Sequence, residues 1–318
     1  MTDRIENARD RRRHSRSARV LTSVALVAAC SCSSAPPPHR TFDTPEAAVR
    51  ALNDAAKAAN LDDLLAIFGP DGKELFDSSD PAAARSNREV FTVAVAEGWH
   101  VVDEGSGAKT LIIGKESWPF PVPIVKAETG WRFDTEAGKE EVLARRIGRN
   151  ELAAIKISRA YVAAQREYAR AGHDGKPAGL YARTFRSEAG RQNGLYWPAL
   201  KGQPRSPLGD MVAEAAEEGR AVGDDRQGRV PFHGYYFKIL TAQGGHASDG
   251  ARDYVTGGQM SQGFALVAWP ADYDVTGIMT FIVSQAGVLY QKDLGQATAA
   301  TARTMLLYNP DNTWSVVE

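Results

Sequence analysis

The chain has 318 residues and 43% hydrophobic content, enough to bury one large core or two moderate ones. Its 38 Lys+Arg nearly balance 39 Asp+Glu, but residues 1–19 hold seven arginines and three acids; the 31 basic and 36 acidic residues beyond them lack the basic excess that a nucleic-acid partner needs. The two cysteines are Cys30 and Cys32, which excludes a disulfide framework, a thiolate metal site and a cysteine nucleophile from everything that follows them.

Residues 1–30 read as an export leader. Arginines from Arg4 to Arg19 charge its start, Val20 to Ala29 is uncharged and mostly apolar, and small residues precede Cys30 in Val27-Ala28-Ala29-Cys30. The apolar run is about half the roughly 20 residues of a permanent span. The pattern resembles the lipoprotein signal of Gram-negative bacteria, which implies cleavage before Cys30, lipid on that cysteine and stable anchoring by more than one acyl chain. Ser31, a non-acidic residue after the cysteine, then implies an outer-membrane lipoprotein facing the periplasm. Ordinary secretory cleavage between Ala29 and Ala35 is the plainer alternative. The Arg11-Arg12 pair is not followed by the usual pattern of folded-protein export. Residues 31–40, rich in Ser and Pro, form a tether that cannot pack.

A first α+β domain is expected over 41–140. Thr44-Pro45-Glu46 combines an N-cap hydroxyl, a first-turn proline and an acid, and Val49, Leu52, Ala56 and Ala59 continue at helical spacing. Leu61 to Phe68 makes a second helix, closed by a turn at Gly69-Pro70-Asp71-Gly72. Pro81 to Ala96 reads as helix because of its alanines, although Phe91, Val93 and Val95 alternate like a strand. Strands are expected at Lys109–Gly114, Val122–Ala127 and Trp131–Phe133. Helices followed by a curved antiparallel sheet resemble the cystatin-like or NTF2-like cone. Such a cone implies a small-ligand pocket, whose candidate lining is Phe91, Trp99, Trp118, Phe120 and Trp131; core packing is the plainer reading, above all for Trp131. His100 and Asp103 have no companion at matched spacing that would make them catalytic.

A second α+β domain is expected over 141–318, entered by a long helix from Gly138 to Arg170. Ile157, Ala160, Tyr161, Ala164 and Tyr168 form its apolar stripe, with Arg159, Gln165, Arg166 and Glu167 on the polar side; Gly172 and His173-Asp174-Gly175 end it. Strands follow at Gly234–Thr241, Phe264–Trp269, Met279–Ser284, Val288–Gln291 and Thr313–Val317, the third and fourth joined as a hairpin through Gln285-Ala286-Gly287. A long helix on an antiparallel sheet resembles the globular head of type IV pilins and pseudopilins. The pilin leader and its apolar membrane helix are missing, so pilin-type polymerisation is not expected.

The stretches 231–240, 263–270 and 277–295, closed by Asn309-Pro310-Asp311-Asn312-Thr313-Trp314, resemble the DUF2950 family of uncharacterised bacterial envelope proteins along nearly the whole chain after the leader. The resemblance implies no activity, cofactor or site residue.

Few residues suggest chemistry. Ser248, His246 and Asp249 would suit acyl transfer, but the serine lacks a Gly-x-Ser-x-Gly elbow and no third member is evident; a glycine-rich loop in which Asp249 and Asp253 cap backbone N–H groups explains them better. Asp272 and Asp274 offer two oxygens where calcium needs six to eight, so a turn is preferred. The acids at 217–218 and 224–225 read as a solvated surface loop. Tyr196, Trp197 and Tyr235 lie in aromatic, Gly- or Pro-interrupted segments that would make contact anchors if exposed, and core residues if not. No cofactor is expected. The reading is a non-catalytic envelope protein, held to the membrane by its lipid anchor, that takes an envelope protein or a small ligand as partner, with a hydrolase near His246 as the alternative.

Overall fold

The computed structural model describes residues 39–76, 81–105, 107–198, 205–209 and 231–318; side chains of 76 and 81–87 are outside that description. The expected leader, Cys30 and the acidic stretch at 217–225 lie outside the described residues. No helix among the described residues is long and apolar enough to cross a membrane.

The chain is α+β, with antiparallel sheets and one long helix, as its pattern predicts. Helix α1 (Pro45–Ala58) starts at the expected cap: the Thr44 hydroxyl accepts from the Ala47 N–H at 3.1 Å. Helix α2 spans Leu61–Phe68 with the Asn60 side chain as its cap. The expected turn after it is a single 3₁₀ turn, Pro70–Gly72, leading directly into α3 (Lys73–Phe76). The segment Pro81–Glu97 is helical (α4), so the alanines outweigh the local alternation.

Five strands follow: β1 (Trp99–Asp103), β2 (Ala108–Ile113), β3 (Trp118–Pro119), β4 (Ile124–Ala127) and β5 (Gly130–Phe133). They pair antiparallel in the order β1-β2-β4-β5, with β3 on β2. The pattern predicts β2, β4 and β5; β1 and β3 are additions. Phe42 bridges Trp131 through two backbone bonds of 2.7 and 2.8 Å, so the chain entering α1 extends the sheet edge. Val49, Leu52, Ile67, Phe68, Leu111, Ile113, Ile124 and Phe133 build the apolar cluster between helices and sheet.

Helix α5 runs from Thr135 to Tyr168, beginning three residues earlier than expected. Its first turn belongs to the N-terminal cluster: the Thr135 hydroxyl donates to the Phe68 carbonyl at 2.6 Å, and Gly138 sits where a Cβ would collide with Val122. Its last four turns carry Ala154, Ile157, Tyr161, Ala164 and Tyr168 into the C-terminal region. One residue departs from the expected polar side. Gln165 is fully buried; its amide donates to the Ala182 carbonyl (2.8 Å) and accepts from the Ala182 N–H (2.9 Å). A buried amide with both ends satisfied replaces the strand partner that residue 182 would otherwise need.

The C-terminal strands are β6 (Tyr235–Leu240), β7 (Ala242–Gln243), β8 (Arg252–Asp253), β9 (Val255–Thr256), β10 (Gln259–Met260), β11 (Ala265–Pro270), β12 (Met279–Ser284) and β13 (Leu289–Asp293). After helix α6 (Thr298–Thr304) come β14 (Leu307–Tyr308) and β15 (Ser315–Val316). The main sheet is antiparallel in the order β15-β13-β12-β11-β6. Helix α5 packs on β11 and β12 while α6 also packs on β11, and every residue of β11 is buried. The hairpin turn between β12 and β13 uses Gly287 at φ 83°, as its position requires.

Two devices clamp α5 to the sheet. Glu151 accepts from the N–H groups of Ile278 and Met279, both at 2.9 Å, and Asn150 donates to the Thr276 carbonyl at 2.9 Å. Beside them Tyr235 is buried, donates to the Met279 carbonyl at 3.0 Å, and fills the space where Gly277 lacks a side chain. Burial, with the Glu151 carboxylate nearby, pushes the Tyr235 hydroxyl pKa far above the ordinary tyrosine range.

Candidate functional site

The aromatic residues expected to line a cone mostly pack on one another. Phe120 contacts Phe91, Trp118 and Phe133 at ring-centroid distances of 5.5, 6.3 and 6.2 Å, and Phe133 meets Phe68 at 5.0 Å. Trp99 and Trp131 are half-buried against the same cluster. Trp118 is 46% exposed, with Arg145 over its ring; that guanidinium is fixed by the Pro119 carbonyl and Glu141. His100 and Asp103 are separated by an odd number of positions in β1 and so point to opposite faces; Asp103 pairs instead with Lys109 at 2.8 Å. That ion pair and the Gly105 N–H hold the Asp103 carboxyl below its usual pKa.

Among the C-terminal candidates, Trp197 and Tyr235 are buried, so burial rather than exposure is their role, and Tyr196 is half-buried under the Arg186 guanidinium. Ser248, His246 and Asp249 all lie on the exposed loop after β7, and no hydrogen bond joins the three. The expected capping by Asp249 and Asp253 is corrected: the Asn309 side chain accepts from the His246 N–H at 2.9 Å, Gln243 donates to the Gly250 carbonyl at 2.6 Å, and Asp249 faces Arg252 at 3.7 Å. Amides prevail because Gln243 is buried, where a carboxylate would carry a desolvation cost. Asp272 and Asp274 form a turn, with Asp274 at φ 64° and the Thr276 hydroxyl bonded to the backbone N–H and C=O of Asp272. No cluster of three potential metal ligands occurs among the described residues.

A cleft of about 570 Å³ opens elsewhere, between the segment following α5 (residues 168–193) and the β9–β10 turn at 258–260. Its walls have little regular structure because the segment is broken repeatedly: Gly175, Gly179 and Gly190 have positive φ, Asp174 has φ 52°, and Pro177 cannot donate. Two side chains and one isolated backbone bridge supply what a ladder would. Gln165 holds Ala182, Tyr181 bonds through its N–H to the Met260 carbonyl at 2.8 Å, and Arg183 donates to the Gly258 carbonyl at 3.0 Å.

Asp174 organises the outer wall. Its carboxylate accepts from the Gln192 N–H and from Arg191, each at 3.0 Å, while Arg191 also reaches Glu188 at 3.0 Å. The Gln192 N–H, and then the Arg191 guanidinium, hold the Asp174 carboxyl below its ordinary pKa. His173 stacks on Tyr168 at 4.1 Å and tilts toward Trp197 at 5.6 Å. Its Nε2 is 3.0 Å from the Tyr168 carbonyl, which can only accept, so Nε2 is the donor in that bond. Burial, with Asp174 nearby, raises the Tyr168 hydroxyl pKa. The histidine is committed to shaping the wall and has no nucleophile bonded to it.

In sequence, residues 172–175 are legible only as a helix stop. The signal available was the density of breakers between 172 and 190 together with Tyr181, Arg183 and Arg186; the wall contributed by Gly258 and Met260 comes from a distant part of the chain.

One family model matches residues 39–317, and its description is "Protein of unknown function (DUF2950)". Neither a curated protein nor a solved structure matches the chain.

Proposed function

Taking as premise that the chain belongs to the DUF2950 family, we propose that it is a lipid-anchored protein of the bacterial envelope, tethered through Cys30, whose C-terminal region is a non-catalytic binding module. The observation that carries the binding reading is the cleft at 168–193 and 258–260, whose volume lies in the range of small-ligand sites and whose walls are braced by internal hydrogen bonds. A wall already held in place loses little entropy on binding. The small-ligand reading thus moves from the N-terminal cone, whose aromatics contact one another, to the C-terminal cleft.

Anchoring is tested by acylation and membrane fractionation of the full chain against Cys30→Ala; an unacylated wild type overturns it. The binding reading is tested by a thermal-shift screen of neutral, cationic and anionic small molecules. At least one should stabilise the wild type but not Ala189→Trp, which fills the exposed cleft wall. Hits indifferent to that substitution, or consumption of a hit over hours, would break the reading.

A further inference from the structure

The cleft wall is positively charged in a chain that is otherwise slightly acidic. Lys176, Arg183 and Arg186 all line it and are exposed, and among the described residues none has a carboxylate within ion-pair distance. The carboxylates of the lining, Asp174 and Glu188, are both engaged by Arg191. The Arg186 guanidinium carbon is over the Tyr196 ring, 5.8 Å from its centre, and its N–H groups make no hydrogen bond to the described residues. Arg183 spends one amino group on the Gly258 carbonyl and keeps the rest of its fork. The lining also mixes the apolar Pro177, Leu180 and Tyr181 with the polar Thr184, Ser187, Asn193 and Gln259.

Granting the binding-module reading above, we infer that the cleft takes a small polyanionic ligand bearing two or more carboxylates on a frame of about tripeptide size. Guanidinium forks recognise carboxylates bidentately, whereas an ammonium acts as a point charge. The apolar part of the lining would cover one side of the frame, and the lower local dielectric there strengthens each charge contact. Local neutralisation within the chain does not account for three unpaired cations around one concavity, since the nearby acids are already used to hold the wall. Acidic oligopeptides and uronic-acid oligosaccharides share this chemistry.

The test is calorimetric titration of the full chain, in mild detergent at low salt, with triglutamate and trigalacturonate, each beside its neutral counterpart, triglutamine and maltotriose. At least one anion should bind at least about tenfold tighter than its counterpart, a difference of about 1.4 kcal/mol, and weaken as salt rises toward 0.5 M. Lys176→Glu and Arg186→Glu should each weaken it about tenfold without changing the melting temperature. Preference for triglutamate identifies the peptide source, and preference for trigalacturonate the saccharide source. Anions that bind no better than their neutral counterparts, or equally well to both charge-reversed variants, overturn the inference. If the Ala189→Trp-sensitive hits of the screen are neutral or cationic, the polyanion inference fails while the binding module stands.

Discussion

The two sheets solve burial differently. In the C-terminal sheet, β11 is buried at all six positions because α5 and α6 both pack against it, whereas β1 of the N-terminal sheet has no fully buried residue and leaves its flank to solvent. A strand covered on both faces reads as an unbroken apolar run, as in Ala265-Leu-Val-Ala-Trp-Pro270; a half-covered strand mixes apolar and polar residues, as in Trp99-His-Val-Val-Asp103. The contrast bears on function. A strand enclosed on both sides, such as β11, offers no face to a ligand, and the cleft of the C-terminal region lies on the irregular segment at the end of α5.

The comparison breaks most directly on its tryptophans. Trp269→Ala, at a fully buried position in β11, should cost about 3–5 kcal/mol, and Trp118→Ala, on the open N-terminal flank, about 1 kcal/mol or less. Equal shifts in the urea midpoint would mean that the two sheets are not covered differently. Next in size is Gln165→Leu, which leaves the N–H and C=O of Ala182 without partners and should cost about 2–3 kcal/mol. Amide exchange should then accelerate at Ala182 and its neighbours while the N-terminal strands keep their protection.

A smaller effect belongs to the N-terminal region alone. Thr44→Ala removes the α1 cap and should cost about 1 kcal/mol, with Thr44→Ser restoring most of it. The smallest concerns pH. The Asp174 carboxyl is held below its ordinary value, so its stabilisation is present above the unfolded pKa of about 3.9 and is lost as pH falls through the lower folded value. Asp174→Asn should therefore flatten the acid limb of a stability-versus-pH curve below about pH 4. An unchanged acid limb would detach the cleft wall from this carboxylate.

Legibility followed locality. The Thr44 cap, the limits of α2, the helical choice at 81–97 and the 281–290 hairpin all rest on interactions within a few residues, and they stand as expected. The short strands β1 and β3 were not legible, since their pairing to β2 carries most of their definition. Gln165 misled because a glutamine beside Arg166 and Glu167 is indistinguishable in sequence from a solvated one until residue 182 folds back upon it. Trp197 and Tyr235 were ambiguous for the same reason: an aromatic flanked by proline or glycine is core or surface according to what covers it.

What the residues determined alone is the absence of thiols after Cys32, the helix caps and breakers, and the two sets of apolar runs; each depends on side-chain chemistry read over one or two turns. Tertiary structure decided that α5 serves two separate clusters, that β11 is covered on both faces, and that Tyr181, Arg183 and Met260 share one cleft. Those outcomes require long-range contacts, whose geometry is set by how whole surfaces exclude water together and not by any local propensity.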